Sequence, residues 1–196
     1  MARPREFDEA GVLRAAREQF SSTGYAGTSM DAVAEATGLG KGSLYGAFGG
    51  KRELFRLVFD DYCTASVEQT RRAFDGPDEE AFARLAAHVR AIAAATAADV
   101  VHRGCLLAKG AAELAEHDPV VAARSLRTFD ELEQILAADI EACRRHGDLS
   151  AEADPRALAL LLLAVLRGIE ALGKAGKDEA ALYTIADTAL ALLPTA

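Results

Sequence analysis

An all-α fold is what this sequence predicts, and three observations predict it. Apolar residues recur at spacings of three and four through nearly every stretch between turn signals. No strict alternation of apolar and polar residues lasts long enough for a strand. Two Asp-Pro pairs, Asp118-Pro119 and Asp154-Pro155, place a capping carboxylate directly before the residue whose fixed φ suits the first helical turn. Read together with the glycines, this punctuation yields nine helices.

The first helix is expected to open at a capping Asp8, to carry Leu13, Ala16 and Phe20 on one face, and to end at Gly24. Thr28 is the expected cap of a short second helix, with Asp31 as its capping-box partner, and Gly38 breaks the chain after it. A third short helix runs from about Gly40 to Phe48. After the Gly49-Gly50 turn a long fourth helix bears Leu54, Phe55, Val58, Phe59 and Tyr62 on one stripe. Beyond Gly76-Pro77 the fifth opens at Asp78 and aligns Phe82, Leu85, Val89 and Ile92; the sixth spans about Gly104 to Glu116. The Asp-Pro pairs start the seventh, which Gly147 ends, and the very apolar eighth, from Ala157 to Leu172. The ninth covers about Asp178 to Leu193.

Composition narrows the function classes. A chain of 196 residues buries a real core without disulfides, and Cys63, Cys105 and Cys143, an odd number scattered at wide spacing, do not suggest a zinc site. They read as buried apolar residues in a reduced compartment. No export signal is apparent at the start, so a cytoplasmic location is expected. The longest apolar run, 157–166, is ten residues, whereas a membrane span needs roughly 20. No triad, metal cluster or phosphate loop is visible, so neither an enzyme site nor a cofactor is expected. The net charge of −8 argues against nucleic acid, yet its distribution does not: residues 1–59 hold eight Lys/Arg against seven Asp/Glu, and the remainder 14 against 23. Only the first segment can approach a phosphate backbone.

The fine spacing of the second and third helices suits a helix-turn-helix. Ala34 is small enough for close crossing, Gly38 makes the turn four residues later, and Leu44 anchors the second helix six beyond that. In such a unit the N-terminal residues of the reading helix enter the major groove of double-stranded DNA, which makes Lys41, Gly42 and Ser43 candidates for base edges or nearby phosphates. Helix starts at Thr28, Ser29 and Lys51 offer amides and side-chain donors to phosphate, and Tyr45 adds a hydroxyl. Plainer readings stand beside these: Lys41 and Lys51 as solvated lysines, and Tyr45 as packing.

The run from Ala15 to Leu57, including Thr23-Gly24-Tyr25, Thr28-Ser29-Met30, Thr37-Gly38-Leu39, Lys41-Gly42-Ser43-Leu44-Tyr45, Phe48 and Lys51, resembles the N-terminal domain of TetR-type (TetR/AcrR) bacterial transcriptional regulators. The resemblance implies a reading head over residues 1–50, an N-terminal arm in which Arg3 and Arg5 reach the adjacent groove or backbone, and a ligand-binding and dimerisation domain over 51–196. It also implies release from a palindromic operator by a small-molecule effector. Two departures stand out: Gly46 and Ala47 replace bulkier residues of the reading helix, and Gly50 replaces a polar cap. They keep an alternative open, a helical small-molecule-binding or interaction protein with a degenerate DNA-reading head.

One short reading helix buries too little for specificity, so a homodimer is required. The eighth helix is apolar on more than one face, which points to Leu158, Leu161, Leu162, Val165 and Ile169, with Leu182, Ile185 and Ala189 of the ninth, as the dimer interface. The effector pocket implied by the resemblance has Tyr62, Val89, Ile92, Cys105, Leu106, Phe129 and Leu166 as candidate walls. His88, His102 and Lys109 are its candidate polar anchors.

Overall fold

The computed structural model describes residues 8–196; the arm residues Arg3 and Arg5 lie outside them. Nine α-helices and no strand occur among the described residues: α1 (Glu9–Gly27), α2 (Met30–Thr37), α3 (Lys41–Phe48), α4 (Lys51–Ala73), α5 (Ala81–Ala97), α6 (Leu106–Leu114), α7 (Pro119–His146), α8 (Pro155–Lys174) and α9 (Glu179–Ala191). A 3₁₀ turn, Asp78–Glu80, precedes α5, so the fifth helix proper starts one turn later than its acidic opening suggests.

Both Asp-Pro starts form as the spacing predicts. The Asp118 carboxylate accepts from the amides of Val120 and Val121 at 3.1 and 3.2 Å, and that of Asp154 from Arg156 and Ala157 at 3.0 and 3.2 Å. Gly147 closes α7 in the left-handed region.

Three expectations near the N-terminus are corrected. Asp8 precedes α1 but caps nothing, because its carboxylate turns to Arg14 at 3.4 Å. Gly24 kinks the chain at φ 76°, after which helical bonding resumes to Gly27. Ser29, rather than Thr28, caps α2, accepting from the Ala32 amide at 3.1 Å; Thr28 faces inward and donates its hydroxyl to the Gly24 carbonyl at 2.7 Å. Asp31 therefore closes no capping box, and it pairs with Lys41 instead.

The small N-terminal unit and the larger bundle share one core. Phe20 and Tyr25 of α1 meet Phe55 of α4 edge to face, at centroid distances of 5.0 and 5.2 Å, and Phe55 stacks on Phe59 at 5.4 Å. Phe59 in turn packs against α6 at Gly110, where any Cβ would collide with the ring. Polar ties reinforce this junction: the Ala26 amide donates to Glu113 at 2.8 Å, and Lys109 donates to the Ser21 carbonyl. Arg56 of α4 forks onto the buried Asp118 at the start of α7, with both bonds at 3.0 Å.

Candidate nucleic-acid interface and effector cavity

The helix-turn-helix is built from a few fixed points. Thr37 ends α2, donating to the Val33 carbonyl at 2.8 Å, and Gly38 reverses the chain at φ 67°, a conformation that disfavours any side chain. Leu44 and Phe48 then pin α3 to the core, with Leu44 fully buried. What they leave outward is Lys41, Gly42, Ser43, Tyr45, Gly46 and Ala47, all exposed, with Tyr45 51% accessible. The expected reading residues thus share one solvent-facing surface, and Ser29 is exposed at the α2 start.

Two expected phosphate donors sit differently. Thr28 is buried and its hydroxyl is committed, as above. Lys51 lies over the Tyr25 ring at 4.4 Å and reaches the Ala26 carbonyl at 3.4 Å, so it braces α4 against α1. The Lys41–Asp31 pair is exposed on both sides, and such pairs contribute at most about 1 kcal/mol, which leaves Lys41 able to exchange Asp31 for another anion.

A cavity of about 590 Å³ opens between α4, α5, α7 and α8. Tyr62, His88, Ile92 and Leu166, expected as pocket residues, line it together with Ser66, Gln69, Arg84, Leu132, Leu136, Leu163, Arg167 and Glu170. A second cavity, also about 590 Å³, lies between α1 and the bundle; His102 belongs to it, with Arg14, Arg17, Asp99 and Lys174. Tyr62 and Glu170 wall both cavities. Val89 and Leu106 are fully buried core, Phe129 packs against that core, and Lys109 is directed to α1, so these four lie off the cavity wall.

Cys105 is buried behind the cavity, where Arg167 Nη1 donates to its Sγ at 3.0 Å and the Tyr62 hydroxyl lies at 3.7 Å. Burial pushes this thiol above its ordinary value, with Arg167 opposing. Arg167 also faces Glu170 at 2.9 Å, one helical turn along α8, where burial raises the carboxyl and the guanidinium opposes that rise. Burial, with Arg167 adding to it, lowers His88 to about 4, so its imidazole is neutral at pH 7. Sequence reasoning missed Arg167 and Glu170. Their signal was available, as the charged residues interrupting the most apolar helix.

The residues expected at a dimer interface divide. Leu162, Ile169 and Leu182 are buried within the subunit; Leu158, Val165, Ile185 and Ala189 are half-buried; Leu161 is exposed. The outward stripe of α8 is instead Leu160, Leu161, Ala164, Ala171 and Leu172, continued by Leu192 after α9. No helix among the described residues is long and apolar enough to cross a membrane.

Comparison with known proteins matches residues 12–58 to the family model of bacterial regulatory proteins of the tetR family, and residues 81–189 to that of the tetracyclin repressor-like C-terminal domain. YezE, an uncharacterised HTH-type transcriptional regulator of Bacillus subtilis (strain 168), is 27% identical, with 98% of this chain and 100% of YezE covered. ComR, an HTH-type transcriptional repressor of Escherichia coli (strain K12), is 28% identical over 98% of this chain and 91% of its own. Among solved structures, a cysteine-substituted CifR, a TetR-family transcriptional regulator in complex with 26-base-pair operator DNA, superposes with a TM-score of 0.82 at 28% identity, covering 98% and 100% of the two chains. With its helix-turn-helix head and helical C-terminal domain both matched, the chain belongs to the tetR family of bacterial transcriptional regulators.

Proposed function

We propose that the chain acts in the cytoplasm as a homodimeric repressor that binds a palindromic operator and is released when a small molecule enters the α4–α5–α7–α8 cavity. The observation that carries this reading is the outward surface of α3: buried Leu44 and Phe48 hold the helix on the core while Lys41, Gly42, Ser43 and Tyr45 are exposed to solvent, Lys41 paired with the exposed Asp31. A rigid short helix with small and cationic residues at its N-terminus fits the major groove. The operator complex of CifR and the repressor ComR lend it support.

In this reading residues 1–50 form the reading head and 51–196 the sensing and dimerisation part. Lys41 meets a phosphate beside the base edges that Ser43 reads, Gly42 admits close backbone approach, Ser29 and Tyr45 meet further phosphates, and Lys51 braces α4 against α1 behind them. Thr28 acts from inside, holding the junction of α1 and α2 through its bond to Gly24, and Arg3 and Arg5 extend contact along the duplex. Two copies pair through the outward stripe of α8 with the end of α9, an apolar surface that water otherwise covers. Effector binding reaches the head through Tyr62, whose ring carries the Arg17 guanidinium of α1 at 4.8 Å while its hydroxyl faces the Cys105–Arg167 cluster. A coupling of about 1–3 kcal/mol changes operator affinity about 5- to 150-fold.

Selection from random duplex DNA tests this directly. The expected result is a palindrome whose half-sites lie about 34–36 Å apart or a multiple of that, centre to centre. Recovery of unrelated sequences would favour a helical binding protein with a degenerate head.

A further inference from the structure

We infer that the cavity between α1 and the bundle is a second ligand site, which takes a small oxyanion, a carboxylate or phosphate group, between Arg17 of α1 and Lys174 of α8. It stands apart from the effector reading above, since neither residue lines the α4–α5–α7–α8 cavity.

Unpaired positive charge supplies the first reason. Several charges at this cavity are already matched: Arg14 pairs with Asp8, Arg103 with Asp99, and Glu170 with Arg167. Among the described residues, Arg17 and Lys174 have no carboxylate within ion-pairing distance. Lys109, just behind the cavity, has none either, and its ammonium lies beside that of Lys174. Burial, and after it the Lys174 charge, lowers Lys109 to about 8. Two adjacent ammoniums repel each other, and an anion beside them removes that cost. The carboxylates left without a cation are Glu18, exposed on the rim, and Glu113, which accepts from the Ala26 amide. Three Lys/Arg cations thus face two carboxylates, and one positive charge remains to be met.

Accessible bonding capacity supplies the second. The Arg17 guanidinium lies over the Tyr62 ring at 4.8 Å, donates no hydrogen bond among the described residues, and has no buried nitrogen. Lys174 is exposed and spends one of its three N–H donors on the His102 carbonyl at 2.8 Å. Both side chains therefore keep donors open to the cavity, one from α1 and one from α8. An oxyanion accepts from both through charge-assisted bonds, whereas a neutral amide lacks the charge and an ammonium is repelled. At about 590 Å³ the cavity has room for a small polar body behind the charged group.

Isothermal titration of the full-length protein without DNA, near neutral pH and at low salt, tests the inference with inorganic phosphate and glycolate as probes and glycolamide and ethanolammonium as controls. The tighter of the two anions is expected to bind at least about 10-fold better than either control, and it identifies the headgroup. Arg17→Gln and Lys174→Gln are each expected to weaken that anion by about 10-fold or more. Lys177→Gln, at an exposed lysine off the cavity wall, is expected to leave it unchanged. Because α3 is itself read as a phosphate-contacting surface, amide spectra locate the bound ion: on addition of phosphate or glycolate, Gly104 and Gly173 should shift more than Gly42. Both anions bound no better than the controls, shifts confined to Gly42, or equal binding by the folded cavity variants and the unaltered protein overturns the inference. So does a Lys177→Gln loss as large as theirs. The unaltered protein's ranking and shifts decide alone if neither cavity variant folds.

Discussion

Lowering the pH from about 7 to about 5 is expected to cost the fold about 2 kcal/mol through His88 alone. Its ring packs on Phe74 at a centroid distance of 4.8 Å, and burial, reinforced by the Arg167 charge, lowers its pKa from 6.5 to about 4. The folded value is the depressed one, so the unfolded chain takes up the proton first. Stability is complete above the unfolded value, and it falls by about 1.4 kcal/mol per pH unit between there and the folded value, where both states carry the proton. Integrated over the upper part of that window, the loss is about 2 kcal/mol. His88→Gln keeps a polar side chain that does not titrate, so its loss over the same interval is smaller by that amount. Urea unfolding followed by circular dichroism, at one fixed protein concentration because the protein is expected to dimerise, measures both losses. Comparing losses rather than absolute stabilities removes any constant cost of the substitution. Losses that agree within about 0.5 kcal/mol would refute the assignment of a buried neutral imidazole.

Leu44→Ala removes the fully buried anchor of α3 and is expected to cost about 2–5 kcal/mol in the same unfolding assay, with specific DNA binding lost alongside. Leu161→Glu places a charge on a side chain that is 55% exposed in the subunit, so sedimentation should show monomers while helix content is unchanged; an intact dimer would locate the interface elsewhere. Arg17→Gln removes the cation from the Tyr62 ring. With a compound that releases the unaltered protein, this variant should bind compound and operator separately but show less than about 5-fold coupling between them, and full coupling would exclude the Tyr62–Arg17 route.

The parts of the fold legible in the sequence are those specified by local chemistry. Asp118-Pro119 and Asp154-Pro155 marked helix starts because cap and proline act within three residues, and Gly38 marked the turn because a positive φ is needed there. Thr28 and Ser29 were not separable locally, since both are good caps; which of them turns inward is decided by Gly24, whose kinked carbonyl takes the Thr28 hydroxyl. The faces of α8 were misassigned in part for a related reason. A helix apolar all round gives no period to tell Leu162 from Leu161, and only packing against its neighbours buries the first and exposes the second. At the cavity the sequence pointed to apolar candidates, of which Val89 and Leu106 are plain core. Arg167 and Glu170 at i,i+3 look like an ordinary solvated pair until α4 and α5 are folded over them.

The central claim, that α3 seats its exposed N-terminal residues in the major groove, is tested most directly by operator affinity measured against ionic strength. The protein and Lys41→Ala are titrated into labelled selected operator and into a scrambled duplex of equal length. The account predicts operator binding at least about 10³-fold tighter than scrambled DNA at physiological salt. It further predicts a slope of log affinity against log salt that is shallower by about 0.9 in Lys41→Ala. Equal affinity for both duplexes, or a slope that Lys41→Ala leaves unchanged, would contradict it.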